Sequence, residues 1–373
     1  MQKKVPLKRP LFLLLLASLL NLYAGCAAVD TAPLIHTKPE SSPQWTLAHP
    51  VEVGLDETLM RQAITQLPKP IEHGLHSMLI VRHNKLVLEE YWNGYDRDTL
   101  QDIRSATKSI TSLLTGIAID KHFLGSTKDP MLDYLAGAYP SIDSAKRNMT
   151  LADLLTMRSG LACDDRNMLS PGQEDKMYLT RDWVHHFLEL PIATEPGKVA
   201  RYCTGGVVAL GRVISEASKQ SIPDFSQQYL FGPLAIENFQ WSTFDDGRQI
   251  DTGGHLFLRP RDMAKIGLLV LQHGQWNGSQ LVSSDWIDQS IKEQTRIDDG
   301  QPYGYLWWMA GAVVNGETFR VVYASGNGGQ YIFVVPDLDL IAVFTGGNFN
   351  SKKANLPFEI FGKYVLPAAL LTK

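Results

Sequence analysis

Ser105 and Lys108 are the residues of this chain whose types and spacing most directly indicate chemistry. They precede the apolar run Ile110–Ile119, which predicts a buried helix. Residues at i and i+3 share a helix face, so the Lys108 ammonium can reach back to the Ser105 hydroxyl. A serine hydroxyl needs an adjacent base to act as a nucleophile at neutral pH. The pair therefore indicates covalent catalysis by Ser105, with Lys108 as the candidate base.

A lysine can act as a base only when its pKa is lowered. Burial against an apolar helix and the positive end of the helix dipole are both expected to lower the pKa of Lys108. The N–H groups at the same helix start are also suited to binding an oxyanion. Taken alone, the pair is better explained by a helix-capping serine beside a solvated lysine, and only the rest of the chain favours catalysis.

Two later segments carry further polar groups in a suggestive order. Tyr202-Cys203-Thr204 lies between a Pro196-Gly197 turn and a predicted helix, and Ala324–Gly329 ends a predicted strand. Each segment has an ordinary explanation when taken singly, as a half-buried tyrosine and a glycine-rich hairpin turn. The combination of three such segments in this order is far more specific than any one of them.

With these segments in order, the chain resembles the penicillin-recognising serine hydrolases, which include class C β-lactamases, DD-peptidases and related esterases and amidases. Their Ser-x-x-Lys, Tyr-x-Asn and Lys/His-Thr/Ser-Gly motifs match at Ser105, Tyr202 and Ser325-Gly326. The resemblance covers roughly residues 50 to 370, and Leu154–Leu161 supports it as a leucine-rich helix ending in Ser-Gly. It implies an α+β fold of the β-lactamase/transpeptidase type.

The resemblance also implies catalytic roles. Ser105 would be the acylated nucleophile, and Lys108 would share its proton with Tyr202. The Tyr202 phenol would act as general base and acid toward the leaving group. No metal and no cofactor are implied.

Substrate-binding roles are implied at two motifs. The backbone N–H groups of Ser105 and Asn327 would form the oxyanion hole, beside Ser325, Gly326 and Thr204. The glycines that follow Asn327 would let substrate lie against the strand without a side-chain clash.

Two departures from the motifs narrow the substrate class. Thr204 stands where the relatives have an asparagine, and Ala324 stands where they have a cation that holds a substrate carboxylate. The resemblance therefore implies esters or amides without a free carboxylate beside the scissile bond, such as substrates of esterases and aminohexanoate-oligomer hydrolases. Arg158, Arg201 and Arg320 are open candidates for a replacement cation. The alternatives are a non-catalytic, acylatable envelope sensor and a true β-lactamase or DD-peptidase.

The N-terminus reads as a targeting segment. A basic stretch with Lys3, Lys4, Lys8 and Arg9 precedes the apolar run Leu11–Leu22. Tyr23-Ala24-Gly25-Cys26 resembles a bacterial lipobox, although Tyr23 replaces the usual leucine. We expect a signal peptide over residues 1–25, lipidation of Cys26 and a tether over 26–50. The alternative is an ordinary secretory signal cleaved near Ala27 or Ala28.

The net charge of the chain and its expected export limit the kinds of partner that it can bind. The formal net charge is −4, and removal of the four basic N-terminal residues would make it more negative. This balance argues against nucleic acid and against a basic membrane-binding face. The expected partners are a small ester or amide and, through the lipid, the membrane of the bacterial cell envelope, with the protein facing the periplasm.

Two cysteines remain beyond Cys26. Cys163 and Cys203 can pair in an oxidising compartment, whereas a cytosolic protein would keep two free thiols. Cys203 is next to Tyr202, so a disulfide is expected if Cys163 flanks the same cleft.

Other polar clusters are expected to be structural. His73, His76 and His83, and the pair His185-His186, lack the spacing of a metal site. Asp164-Asp165 and Asp245-Asp246 are expected to be solvated loop acids, and Trp183, Trp241, Trp307 and Trp308 to pack in the core.

The elements that must position these residues come from both ends of the chain. Alternation over 76–91 around His83-Asn84 predicts a hairpin, and strands are predicted over 305–311, 319–324, 331–335 and 340–345. Helices are predicted in between and over 358–371. We expect one hydrolase domain over 51–373. Its antiparallel sheet lobe would comprise about 51–100 and 250–373, and its mainly helical lobe about 101–249.

Overall fold

The computed structural model describes residues 45–244, 249–297 and 300–370. The expected signal peptide over 1–25, Cys26 and nearly all of the tether lie outside these ranges, as do Asp245 and Asp246. The interpretations of those residues stay predictions. Within the described ranges, no helix has both the length and the apolar character needed to cross a bilayer.

The strands are short except in one sheet. They are β1 (Thr46–Leu47), β2 (Leu75–Arg82), β3 (Lys85–Tyr91), β4 (Gln101–Asp102), β5 (Phe239–Trp241), β6 (Thr243–Phe244), β7 (Gln249–Ile250), β8 (Leu256–Leu258), β9 (Gln275–Trp276), β10 (Ser279–Gln280), β11 (Thr295–Ile297), β12 (Gln301–Tyr303), β13 (Trp308–Val314), β14 (Glu317–Gly326), β15 (Gln330–Val335) and β16 (Leu340–Gly346).

The main sheet is built from both ends of the chain, as predicted. Its strand order is β1-β3-β2-β16-β15-β14-β13-β12-β11, and every pairing except the parallel β1–β3 contact is antiparallel. The hairpin β2–β3 joins the late meander where β2 pairs with β16, with Ile80 opposite Ala342. These central strands are buried on both faces, which explains their nearly continuous apolar sequence.

Most of the helices lie along the chain between the early hairpin and the late meander, and the others precede the hairpin or follow the meander. They are α1 (Glu57–Thr65), α2 (Pro70–His73), α3 (Thr107–Asp120), α4 (Leu132–Leu135), α5 (Leu151–Leu155), α6 (Glu174–Tyr178), α7 (Trp183–Glu189), α8 (Thr204–Ser218), α9 (Ile222–Ser226), α10 (Pro260–Leu271), α11 (Ser284–Ser290), α12 (Leu356–Ile360) and α13 (Leu366–Ala368). Short 3₁₀ segments lie at Pro50–Val53, Arg104–Ala106, Ser144–Asn148, Pro336–Leu338 and Lys352–Asn355, and π-helical segments at Gln227–Phe231 and Phe361–Val365.

Helix α3 runs through the core and is buried from Thr107 to Ala118. Some of its polar side chains are bonded to other segments, as where Thr111 Oγ1 donates to the carbonyl of Thr252 at 2.7 Å, whereas the buried Ser112 Oγ has no partner among the described residues. A Cβ at Gly116 would lie 2.3 Å from the ring of Trp286, so the glycine permits close packing of α3 against α11. A helix held this firmly gives the residues at its start a defined position.

The structure differs from the sequence predictions at the sheet edge and at the C-terminus. The strand predicted over 305–311 is β13, three residues later, and the last two strands on this side of the sheet, β12 and the edge strand β11, were not predicted. Both are three residues long and β12 contains Pro302, so they form through pairing with neighbouring strands and not from a strong local pattern. The C-terminal amphipathic stretch is interrupted by the π-helical segment.

Candidate active site

Ser105 lies in the 3₁₀ turn Arg104–Ala106, directly before helix α3. Arg104 adopts a left-handed conformation with φ of 52°, which is unusual for a residue with a side chain. Its backbone N–H donates to Asp102 Oδ1 at 2.9 Å, and Asp102 Oδ2 contacts His255 Nδ1 at 2.8 Å. Strand β4 and His255 therefore hold the turn that presents Ser105.

Lys108 occupies the first turn of α3 and is 1% exposed. Its ammonium donates to Ser105 Oγ at 3.2 Å, to Thr204 Oγ1 at 3.0 Å and to the carbonyl of Gly253 at 2.5 Å. The i, i+3 contact expected from the sequence is thus present. All three hydrogens of the ammonium have acceptors, which fixes the direction of the side chain.

The expectation of a lowered lysine pKa is wrong for this structure. Burial by itself lowers the pKa of Lys108, but acidic groups around it more than offset this effect and the net pKa is raised. These groups are Tyr202, Glu174, Asp165 and Asp251. Lys108 is therefore an ammonium in the resting site, because nearby negative charge favours the charged form.

Tyr202 lies between Lys108 and an aromatic wall. Its ring stacks on Trp308 with centroids 5.7 Å apart, and the Lys108 ammonium is 4.9 Å from the ring centroid. The Tyr202 carbonyl accepts a hydrogen bond from the Asp165 N–H at 2.8 Å. Ser105, Lys108 and Tyr202 are thus brought together from two segments that are distant along the chain.

Thr204, at the start of helix α8, connects Lys108 to two acids. Its N–H and its Oγ1 contact Asp165 Oδ2 at 2.6 and 2.7 Å, and Oγ1 also lies 3.0 Å from Glu174 Oε2. The threonine is fully buried. The Thr204 hydroxyl therefore stands where the expected motif has an asparagine amide, and it links Lys108 to the carboxyl groups of Asp165 and Glu174.

Asp165 is not a solvated loop acid, in contrast to the prediction from the sequence. Burial raises its pKa to about 6, against the opposing effects of the Lys108 charge and the hydrogen bonds from Thr204, while the charge of Glu174 adds to the rise. Its Oδ1 atom is buried and has no hydrogen-bond partner among the described residues. Local sequence cannot reveal this burial, because the covering groups come from α3, α6 and α8.

Cys163 and Cys203 form a disulfide with their Cα atoms 5.5 Å apart. Both are almost fully buried, at 1% and 3% exposure. The bridge fixes the segment that carries Asp165 against the segment that carries Tyr202 and Thr204. The cysteine pair is also the sequence signal that could have found Asp165. Asp165 is two residues from Cys163, so a bridge to Cys203 brings it close to the neighbours of Cys203.

The third motif segment, Ala324–Gly329, brings the end of strand β14 next to the turn that carries Ser105. A Cβ at Gly326 would lie 2.2 Å from the carbonyl of Ile103, so this glycine lets the end of β14 approach the backbone just before Ser105. Asn327 follows it, and its side chain exchanges hydrogen bonds with Asn350 at 2.8 and 2.9 Å. Gly328 and Gly329 have φ of 94° and 101° and make the turn into β15. They serve the turn, and a Cβ at Gly328 would meet Phe349 rather than open space.

The exposed side chain of Arg166 brings a positive charge beside the aromatic residues of the site. The guanidinium carbon of Arg166 lies 5.6 Å from the ring centroid of Tyr202 and 5.9 Å from that of Trp308. It lines a cavity of about 300 Å³. Other lining residues are Ser325, Trp308, Tyr323, Tyr331 and Phe358. Of the arginines that the sequence left open, Arg158 bonds Thr156 and Arg320 is exposed on β14.

Two other features do not add to this site. A larger cavity of about 1020 Å³, lined by residues such as His273 and Trp276, contains none of the motif residues. Among the described residues, no group of three or more His, Cys, Asp or Glu side chains is arranged to hold a metal ion. His73 instead accepts a hydrogen bond from the Leu75 N–H at 3.0 Å.

Known proteins share this arrangement of elements. A Bacillus anthracis protein with a provisional assignment as a 6-aminohexanoate-dimer hydrolase superposes with a TM-score of 0.67, at 19% identity over 80% of each chain. EstCE1, a hydrolase with promiscuous acyltransferase activity, gives a TM-score of 0.64, at 14% identity over 81% of this chain and 96% of its own. An uncharacterised protein of Alkalihalophilus pseudofirmus is 24% identical over 307 residues, which is 74% of this chain and 84% of the relative. At these identities the solved structures establish the fold alone.

The family is established by a broader comparison. The family model described as Beta-lactamase matches residues 60–355, which includes all three motif segments and most of the described fold. The chain belongs to the beta-lactamase family, within the superfamily of β-lactamase-like serine hydrolases.

Proposed function

We propose that the protein is an exported serine hydrolase that cleaves an ester or amide through an acyl-enzyme on Ser105. The observation that carries the proposal is the contact of Lys108 with both Ser105 and Thr204, beside the ring of Tyr202. A helix-capping serine with a solvated lysine would not require a lysine buried to 1% exposure. The relatives with hydrolase names have the same fold.

The charged state of Lys108 assigns the proton transfers in this proposal. An ammonium cannot accept the Ser105 proton, so in this proposal the base is the Tyr202 oxygen, which must be deprotonated when it acts, with the Lys108 ammonium as the neighbouring cation. Ser105 Oγ bonds to the substrate carbonyl carbon, its proton passes to Tyr202, and the carbonyl electron pair moves onto oxygen. When this oxyanion collapses, the bond to the leaving group breaks and Tyr202 gives the proton to the departing atom.

Deacylation repeats these transfers with water. Water bonds to the acyl carbon, Tyr202 takes its proton, and Ser105 Oγ leaves and regains a proton from Tyr202. The N–H groups of Ser105 and Asn327 are the proposed donors to the oxyanion. Loss of one such donor typically costs about 3 kcal/mol of transition-state stabilisation.

The cleft also supports a substrate class. Ala324 supplies no charge beside the strand, whereas Arg166 supplies one beside the aromatic wall. We propose that the substrate bears an aromatic or aliphatic group that fits a cavity of about 300 Å³, with an anionic substituent remote from the scissile bond. The Arg166→Gln variant should lose more activity on p-nitrophenyl hemisuccinate than on p-nitrophenyl butyrate. The control variant Arg320→Gln should leave the ratio of these two activities unchanged.

Export and lipid attachment at Cys26 are part of the proposal. They rest on the N-terminal sequence and are supported by the Cys163–Cys203 disulfide, since disulfides persist mainly in oxidising compartments. Expression in a bacterial host should give a membrane-associated mature protein. Cys26→Ala should release it into the soluble periplasmic fraction, and cytoplasmic retention of both proteins would contradict export.

The test of hydrolysis uses the mature protein and Ser105→Ala with p-nitrophenyl butyrate, followed by intact mass measurement. Turnover with a transient acyl adduct on the wild type alone is the expected result. A stable adduct without turnover would instead identify an acylatable sensor. Hydrolysis of a chromogenic cephalosporin at a rate matching the ester would identify a β-lactamase, and equal behaviour of both proteins would refute the role of Ser105.

A further inference from the structure

The surroundings of Lys108 contain more negative than positive charge. Three carboxyl groups face it, those of Asp165, Glu174 and Asp251, and all of them raise its pKa. Asp251 is bonded elsewhere, because its Oδ2 accepts from Tyr178 and its Oδ1 from the Gly253 N–H. Asp165 and Glu174 instead meet at the Thr204 hydroxyl, which also accepts from Lys108.

That hydroxyl has a single hydrogen to give. Thr204 Oγ1 accepts from the Lys108 ammonium at 3.0 Å, so its own hydrogen must point to a carboxylate. The contact with Asp165 Oδ2 is the shorter of the two available, at 2.7 Å against 3.0 Å for Glu174 Oε2. The Thr204 N–H reaches the same Asp165 oxygen at 2.6 Å. Two donors at one oxygen are the arrangement expected of an ionised carboxylate.

We propose that Asp165, with Glu174 beside it, is a positioning residue: its carboxylate takes the Thr204 hydrogen and so turns the Thr204 oxygen toward Lys108. The acid pair would perform through charge what an asparagine side chain performs in the Tyr-x-Asn motif. This inference rests on the proposed function, because it concerns how Ser105 and Tyr202 are served by Lys108.

The arrangement makes the site sensitive to protonation. A protonated Asp165 would donate to Thr204 Oγ1 and compete with Lys108 for the lone pairs of that oxygen. The groups that face Asp165 are Lys108 on α3, Glu174 and Tyr178 on α6, Thr204 on α8 and, across Lys108, Asp251. Burial raises the pKa of Asp165 to about 6. The reactivity of Ser105 should therefore fall as the pH is lowered through this range.

The experiment measures the rate at which a fluorophosphonate modifies Ser105, by intact mass, between pH 4.5 and 9. This readout needs no turnover, so it remains informative if ester hydrolysis fails. Glu174→Gln keeps the shape but removes a charge that raises the Asp165 pKa. The fall in modification rate at acidic pH, which is the acid limb of the pH profile, should therefore move to lower pH by about one unit. Asp164→Asn is the matched control, since the described contact of the Asp164 side chain is with the Arg166 N–H, which an asparagine oxygen can also accept. The pH dependence of this variant should match that of the wild type.

Asp165→Asn should remove this limb and lower the modification rate at pH 8 by at least about tenfold. A merely structural role would lower the rate equally at every pH, or lower stability, without moving the limb in Glu174→Gln. An unmoved limb in Glu174→Gln therefore overturns the inference even if Asp165→Asn fails to fold. If the folded wild type is not modified at any pH, both the inference and the proposed function fail. Modification without ester turnover would remove only the hydrolase proposal.

Discussion

Removal of the Cys163–Cys203 disulfide should destabilise the protein and loosen the site together. The bridge closes a loop with a sequence separation of 40 residues. The chain-entropy relation for a loop of this length gives a stabilisation of about 4 kcal/mol at 25 °C. The loop contains helices α6 and α7 as well as Asp165, and this segment of the unfolded chain is no longer closed at its ends when the bridge is removed.

The assay is urea unfolding followed by tryptophan fluorescence. It compares the oxidised wild type, the wild type in reductant, and the Cys163→Ala/Cys203→Ala double variant. The free energy of unfolding should fall by roughly 2–4 kcal/mol in the last two, since measured effects are commonly smaller than the entropy relation predicts. The double variant itself should not respond to reductant, which is the internal control.

The same variant should show an effect on catalysis. Cys203 lies between Tyr202 and Thr204, and the Asp165 N–H bonds the Tyr202 carbonyl across the bridge. We expect kcat for p-nitrophenyl butyrate to fall by about tenfold or more while KM changes less. A loss below about 1 kcal/mol with unchanged kcat would refute the view that the bridge holds the site together.

Three further changes test other parts of the structure. Tyr202→Phe should lower kcat by roughly 10²–10⁴-fold without lowering the melting temperature, and a wild-type rate would exclude Tyr202 as the base. Gly326→Ala places a Cβ 2.2 Å from the Ile103 carbonyl, so thermal unfolding should show a loss of roughly 1–3 kcal/mol together with reduced kcat; an unchanged melting temperature would contradict the close packing. Burial and then the charge of Glu89 raise the pKa of Glu90 to about 7. The folded state therefore favours protonated Glu90, and wild-type stability falls as the pH rises between about 4.5 and 7. Glu90→Gln should be more stable than the wild type by roughly 1–3 kcal/mol at pH 8 and equal to it at pH 4, in urea unfolding at both values; equal stability at pH 8 would contradict the shift.

The order of the chemical groups could be predicted from the sequence because each motif is local. Ser105 and Lys108 are three residues apart across the 3₁₀ turn and the first turn of α3, and this short helical spacing brings their polar atoms within 3.2 Å. The sheet could also be predicted in outline, since its central strands are continuous apolar runs bounded by turns such as Asn315-Gly316.

The electrostatics of the site could not be predicted in this way. Asp165 reads as a loop acid because its neighbours in sequence are polar, and its burial comes from Lys108 and Thr204, which are distant along the chain. The predicted direction of the Lys108 pKa shift was wrong for the same reason. Burial could be foreseen from the apolar helix, but the surrounding carboxylates come from other segments.

The sequence by itself determined which residues are available for chemistry and which segments must be helix or buried strand, because these properties depend on residue type and short-range period. Tertiary structure decided that the positive charge of Arg166 lies beside Tyr202, and that the carboxyl groups of Asp165 and Glu174 contact the Thr204 hydroxyl. Hydrogen bonds and charge interactions act over a few ångströms in space. They therefore join residues whose separation along the chain carries no sign of their contact.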